Sequence, residues 1–129
     1  MKKVFLTRKI PQVALDELNN ICDLSFNNED RVMAKRELIV AAKDCEVLFC
    51  LLNDTIDKEV IDNLPNLKGI VNYAVGYNNI DVEYATSKNI AVTNTPGVLT
   101  ETTADLAWAL IFSVARRVVE ADTFTRAGK

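Results

Sequence analysis

The chain has 129 residues, one domain's worth, and a composition 49% hydrophobic and 26% charged is enough to bury a core. Fifteen Lys and Arg against eighteen Asp and Glu leave a net charge of −3, against the basic surface expected of a nucleic-acid or polybasic membrane binder. There is no histidine, and the four glycines, at 69, 76, 97 and 128, form neither G-x-G nor G-x-x-x-x-G, so Ser-His and Cys-His pairs, His-based metal sites, a dinucleotide fingerprint and a P-loop are all excluded.

Lys3 to Thr7 (KVFLT) is β-branched and aromatic and reads as a buried strand. Pro11 opens a helical pattern that sets Val13, Leu15, Leu18 and Ile21 on the core side. Cys22 to Phe26 alternates as a second strand, closed by the Asn27-Asn28 turn, and Arg31 to Lys43 follows as a helix with Val32, Leu38, Ile39 and Ala42 inward. Val47 to Leu52 is continuously apolar, as in a parallel strand covered on both faces. A short helix from Lys58 to Leu64, a strand from Leu67 to Tyr73, a helix from Asp81 to Lys88 and a strand from Ile90 to Thr93 complete the alternation. Strand and helix alternating over short connections predict an α/β fold with a flavodoxin-like, doubly wound parallel sheet.

The last third is different. After the Thr95-Pro96-Gly97 turn, with Thr100 as N-cap, one long helix is predicted to about Phe124. Its middle, ADLAWALIFSVA, is apolar nearly all round, which predicts burial on more than one side, supplied in part from outside the chain, and a homodimer or other self-association through this helix. Cys45 and Cys50 lie in the apolar run CEVLFCLL and read as buried small hydrophobes. The odd cysteine count, the absence of C-x-x-C and the lack of a signal-peptide core predict a cytoplasmic protein with reduced thiols. No stretch approaches the roughly 20 apolar residues that span a bilayer.

Four segments could carry chemistry. Tyr73 to Asp81 (YAVGYNNID) follows a strand's carboxyl end, where open parallel sheets bind ligands. Gly76 there serves either an anion-binding nest of backbone N–H groups or a plain turn with positive φ, Asn78 and Asn79 capping the next helix. Asp54 resembles a receiver-domain phospho-acceptor only superficially, since Thr7-Arg8 and Thr93-Asn94 stand where that fold needs acids and a lysine; a loop or helix cap is the alternative. Thr102 and Thr103 open the long helix, either near an anion or ribose or as a solvated first turn. Arg116 and Arg117 are an anion clamp or a salt-bridged face, and Trp108 and Phe112, four apart, read as packing.

In order, LLNDTID, YAVGYNNID, VTNTPGVLTETTADLAWALIFSVARR and the TRAGK ending resemble the amino-terminal portion of the D-isomer-specific 2-hydroxyacid dehydrogenases, closest to the glyoxylate/hydroxypyruvate reductase and glycerate dehydrogenase branch. The resemblance implies a substrate domain over residues 1–98 and a connecting helix over 99–129 leading to an NAD(P)-binding domain. It implies Val75 and Gly76 as backbone donors to the substrate carboxylate, Leu52 lining the substrate pocket and Thr103 near the nicotinamide side of NAD or NADP. The family's catalytic Arg, Glu and His and its glycine-rich loop have no counterpart here, so no residue of this chain is expected to be catalytic. The expectation is a truncated oxidoreductase for a small 2-keto or 2-hydroxy acid, inactive alone and without tight cofactor binding. The alternative is a stand-alone flavodoxin-like binding or interaction module.

Overall fold

Five strands and four helices alternate from Lys3 to Thr93: β1 (Lys3–Leu6), α1 (Gln12–Ile21), β2 (Asp23–Phe26), α2 (Lys35–Ala41), β3 (Val47–Leu51), α3 (Lys58–Asp62), β4 (Gly69–Tyr73), α4 (Val82–Ser87) and β5 (Ala91–Thr93). The strands form one wholly parallel sheet in the order β2-β1-β3-β4-β5, the flavodoxin-like winding expected from the alternation. The computed structural model describes all of residues 1–129, in two units, Met1–Pro96 and Gly97–Lys129.

Alternate residues of the strands face opposite ways, so the sheet has two unequal faces. One carries Phe5, Leu48, Cys50 and Ile70, which pack with Leu38, Val60, Ile61 and Ala85 of α2, α3 and α4 in the main core. The other carries Leu6, Phe49 and Leu51 beneath Leu15 of α1. There the burial of β3 is incomplete: Val47, Phe49 and Leu51 are half-buried and Tyr73 on β4 is exposed. The expectation of a strand covered on both faces therefore holds for one face only, because α1 alone packs on the second.

Other boundaries also moved. In α1, Leu15 is buried and Leu18 half-buried, but Val13 and Ile21 are exposed, as their angular positions lie away from Leu15. The helix expected from Arg31 starts only at Lys35, and Val32 is exposed. Arg31 instead pairs with both Glu29 and Glu37, and the Glu37 carboxylate accepts the Ala34 N–H at 2.9 Å, fixing the helix start there. Asp57 and Asp81 cap α3 and α4, accepting from the N–H groups of Val60 and Tyr84.

All three cysteines are free and buried. Burial pushes the Cys45 thiol up to about 11 and the Cys50 thiol to about 12, so both stay neutral.

At the amino ends of the central strands, Glu46 accepts from Lys2 Nζ at 2.7 Å and Lys68 Nζ at 2.8 Å. Its backbone also ties Lys3 to Lys68: the Glu46 N–H donates to the Lys3 carbonyl and its own carbonyl accepts from Lys68. The Lys2 and Lys68 ammonium groups hold the Glu46 carboxyl down at about 2. Because its folded pKa is depressed, this stabilisation is full above the unfolded value near 4.5 and is lost as pH falls towards 2. A carboxyl-carbon NMR titration should show Glu46 ionising well below the usual carboxylate range, as Glu37 should beside Arg31. In a Lys2→Ala, Lys68→Ala double variant the Glu46 pKa should return to the ordinary range. An unchanged low value would mean the lysines are not the cause.

The second unit corrects the single long helix. It contains α5 (Thr100–Ala115) and α6 (Val118–Arg126), broken at Arg116-Arg117, where Arg117 takes left-handed φ 51° and ψ 41°. The Arg117 guanidinium pairs with Glu120, one turn into α6, which stabilises a conformation that costs a branched or bulky residue most. Thr100 is not the N-cap: Leu99 occupies that position and no side chain caps the helix. No residue of α5 or α6 is buried, so the expected burial is not supplied within this chain. Trp108 and Phe112 stack on each other at 5.6 Å, with Leu106, Leu110 and Ile111 exposed on the same helix.

Candidate functional site

The carboxyl ends of β1, β3 and β4 are joined by a buried polar network. Asp54, just past β3, accepts from Thr7 Oγ1 at 2.5 Å and from the Leu51 N–H at 2.8 Å through the same carboxylate oxygen, Oδ2. Asp54 and Thr7 are both buried. Asp54 is therefore not an exposed phospho-acceptor; it lies in the loop after β3, the loop alternative, caps no helix, and fastens the β3 exit to β1.

From the same turn the network continues into β4. Asn79 Nδ2 donates to the carbonyls of Leu51 at 3.2 Å and Asp54 at 3.1 Å. Its Oδ1 accepts from Asn72 Nδ2 at 3.0 Å, and Asn72, fully buried on β4, also donates to the Gly76 carbonyl at 2.8 Å. Asn79 thus braces the 73–80 loop against β3 and does not cap α4, a role taken by Asp81. A spacing argument assigns Asn-Asn pairs to turns and caps, and nothing local distinguishes a brace reaching 25 residues back.

Three successive carbonyls of the loop accept hydrogen bonds from the neighbouring strand ends. Ala74 O accepts from the Thr95 N–H at 2.9 Å, Val75 O from Asn94 Nδ2 at 2.7 Å and Gly76 O from Asn72. In a trans peptide the N–H of the next residue points opposite to the carbonyl. Anchoring the carbonyls of Ala74 and Val75 therefore turns the N–H groups of Val75 and Gly76 away from the Asn94-Thr95 segment. Neither N–H has an acceptor within the chain. Two adjacent free donors on one side of an exposed loop suit a carboxylate.

Gly76 does not take a positive φ; only Gly97 and Gly128 do among the glycines. The expected positive φ at Gly76 is therefore corrected. Glycine's value here is room: a Cβ would stand 3.3 Å from Asn78 Oδ1 and 4.0 Å from Leu52 Cδ1. That distance also places Leu52, half-exposed at the end of β3, beside Gly76. Leu52, Val75 and Gly76 thus come together. Thr103 lies in the first turns of α5, with an exposed side chain. Its N–H already donates to Leu99 O at 3.1 Å, leaving only the hydroxyl for a ligand. The Arg117–Glu120 pair matches the salt-bridged alternative for that arginine. No three His, Cys, Asp or Glu side chains converge as a metal site would require, and no helix is long and apolar enough to cross a membrane.

Residues 4–126 match the family model described as "D-isomer specific 2-hydroxyacid dehydrogenase, catalytic domain". A glyoxylate reductase from Korarchaeum cryptofilum is 50% identical over 127 residues, covering 98% of this chain and 38% of the relative. A Polaromonas sp. structure, described as a D-isomer specific 2-hydroxyacid dehydrogenase, NAD-binding, superposes with a TM-score of 0.85 at 38% identity, covering 99% of this chain and 40% of that one. An NADPH-dependent glyoxylate/hydroxypyruvate reductase from Sinorhizobium meliloti, solved with citrate, gives a TM-score of 0.74 at 27% identity over 99% of this chain and 39% of its own. The chain thus spans about two-fifths of the length of the proteins it resembles.

Proposed function

Because this chain belongs to the D-isomer specific 2-hydroxyacid dehydrogenase family, we propose that it is the substrate-binding part of an NAD(P)-dependent oxidoreductase acting on a small 2-keto acid of the glyoxylate or hydroxypyruvate type. The observation that carries this reading is the pair of unpaired N–H groups at Val75 and Gly76 beside Leu52. A 2-keto acid presents a carboxylate, which takes two such donors, and a short carbon chain, which Leu52 limits in size. On this reading residues 1–98 are the substrate domain and residues 99–129 connect it to an NAD(P)-binding domain, with the Thr103 hydroxyl on the nicotinamide side.

The dinucleotide fits these residues only at its edge. With no G-x-G turn there is no cradle for its pyrophosphate, and with no histidine there is no imidazole to give a proton to the keto oxygen. This chain therefore positions the carboxylate, and does not supply the proton or the main hold on NAD or NADP. Three buried, unpaired cysteines support a reducing, cytoplasmic setting.

Titrating the 15N-labelled chain with glyoxylate should shift the Val75 and Gly76 amide signals. Gly76→Val should weaken binding about tenfold, because its Cβ would crowd Asn78 Oδ1 at 3.3 Å and the branched methyls need still more room. NADH oxidation with glyoxylate should stay at the uncatalysed rate with this chain alone. Shifts absent from both amides, or steady turnover, would each count against the assignment.

Self-association is proposed through the second unit, on the strength of its exposed Leu106, Trp108, Leu110, Ile111 and Phe112. Light scattering should show a mass that rises with concentration, and Trp108→Glu should return it towards that of one chain. A concentration-independent monomer would refute this.

A further inference from the structure

Carboxamides from two different strand ends do the same thing to consecutive peptides of the 73–80 loop. Asn94, after β5, donates to the Val75 carbonyl at 2.7 Å, and Asn72, within β4, donates to the Gly76 carbonyl at 2.8 Å. By the trans-peptide argument, the first bond aims the Gly76 N–H and the second aims the Tyr77 N–H. Tyr77, like Val75 and Gly76, donates its N–H to no acceptor in the chain. Nothing else fixes these two peptide planes, since the loop lies outside the sheet ladder, which ends at Tyr73 on β4.

We propose that Asn94 and Asn72 are positioning residues for carboxylate recognition, orienting the Gly76 and Tyr77 amides, and that the Tyr77 N–H is a third donor to the bound acid. The inference rests on the carboxylate reading above and deepens it. The two asparagines differ in what else they hold. Asn72 is fully buried and also binds Asn79, so its loss affects the braced loop as a whole. Asn94 is only half-buried, and its side chain makes the one bond to Val75, so it reports on orientation with little effect on folding. A free peptide can flip its plane in solution, whereas a peptide held by one side-chain donor presents its N–H already aimed, and that pre-organisation is gained as affinity.

The test is an amide NMR titration of the full 129-residue chain with glyoxylate, for the wild type, Asn94→Ala and Asn72→Ala. Wild type should show saturating shifts at Val75, Gly76 and Tyr77. Asn94→Ala should bind about fivefold more weakly, the factor one net hydrogen bond is worth, with its Tm close to the wild type. The Gly76 shift should shrink more than that of Val75, whose orientation depends on Thr95 and not on Asn94. Should Asn72→Ala fail to fold, Asn94→Ala still decides the matter. Wild-type shifts retained at full affinity in Asn94→Ala would overturn the positioning role and leave the carboxylate reading standing. A wild type silent at Tyr77 alone would remove the third donor, and one silent at all three amides would overturn both readings.

Discussion

Truncating Leu48 to alanine is expected to cost about 3 kcal/mol of folding stability, within the roughly 2–5 kcal/mol range of buried Leu→Ala changes. Leu48 is fully buried on β3, and β3 is paired on one side with β1 and on the other with β4. In register it lies opposite Phe5 and Ile70, and it packs into the cluster formed by α2, α3 and α4. The cavity left behind can close only by moving two ladders at once, so little of it will be recovered. Domains of this size have about 5–15 kcal/mol in total, so the loss should lower Tm by roughly 15 °C. Val13→Ala is the matched control. Val13 is exposed on α1, and its truncation should change stability by less than about 0.5 kcal/mol. Urea unfolding followed by two probes measures both; equal losses for the two variants would refute the core assignment.

The second large effect is expected at Asp54. Its Oδ2 accepts from the Thr7 hydroxyl and the Leu51 N–H, so alanine there leaves two donors with no acceptor, in a place water does not reach freely. Each unsatisfied buried donor costs about 1–3 kcal/mol, and a loss of about 3 kcal/mol is expected for Asp54→Ala. Asparagine can put its one amide oxygen where Oδ2 stands and keep both bonds, so Asp54→Asn should lose less than half as much. Thr7→Val removes one donor with little change of shape. In a Thr7→Val, Asp54→Ala double-mutant cycle the losses should therefore fall short of additive by about 1 kcal/mol, since the Thr7–Asp54 bond is counted in each single variant. Strict additivity would show that the bond contributes nothing. The same variants bear on the site, because the Asp54 carbonyl is one of the two that hold Asn79.

These two positions differ in how far local pattern reveals them. Leu48 sits in an apolar run whose burial is evident from residue type alone, and hydrophobicity needs no partner identity to act. Asp54 carries no such signal. An acid after a strand reads as a cap or a loop, and only the arrival of Thr7, 47 residues earlier, makes it a buried acceptor. Gly76 shows the same limit in another way. Glycine suggests a positive φ because that is its commonest use, whereas here the backbone is ordinary and the side-chain space is what is constrained. The break at Arg116-Arg117 was equally hidden, since arginine is a good helix former and neither Gly nor Pro marks the site.

Residue order by itself determined the alternation of strands and helices, and with it the parallel sheet, because side-chain period and turn residues act over a few positions and right-handed crossovers leave few ways to wind them. It also determined what chemistry is excluded, since no fold can supply an imidazole or a G-x-G turn that the chain does not contain. The tertiary structure alone decided which polar side chains face each other. Asn72, Asn79, Asn94 and Asp54 acquire their partners only when β1, β3, β4 and β5 are laid side by side. A hydrogen bond needs its donor and acceptor within about 3 Å, a condition that sequence spacing cannot express across strands. The loop that presents the Val75 and Gly76 amides is therefore a local motif in residue type and a tertiary product in its orientation.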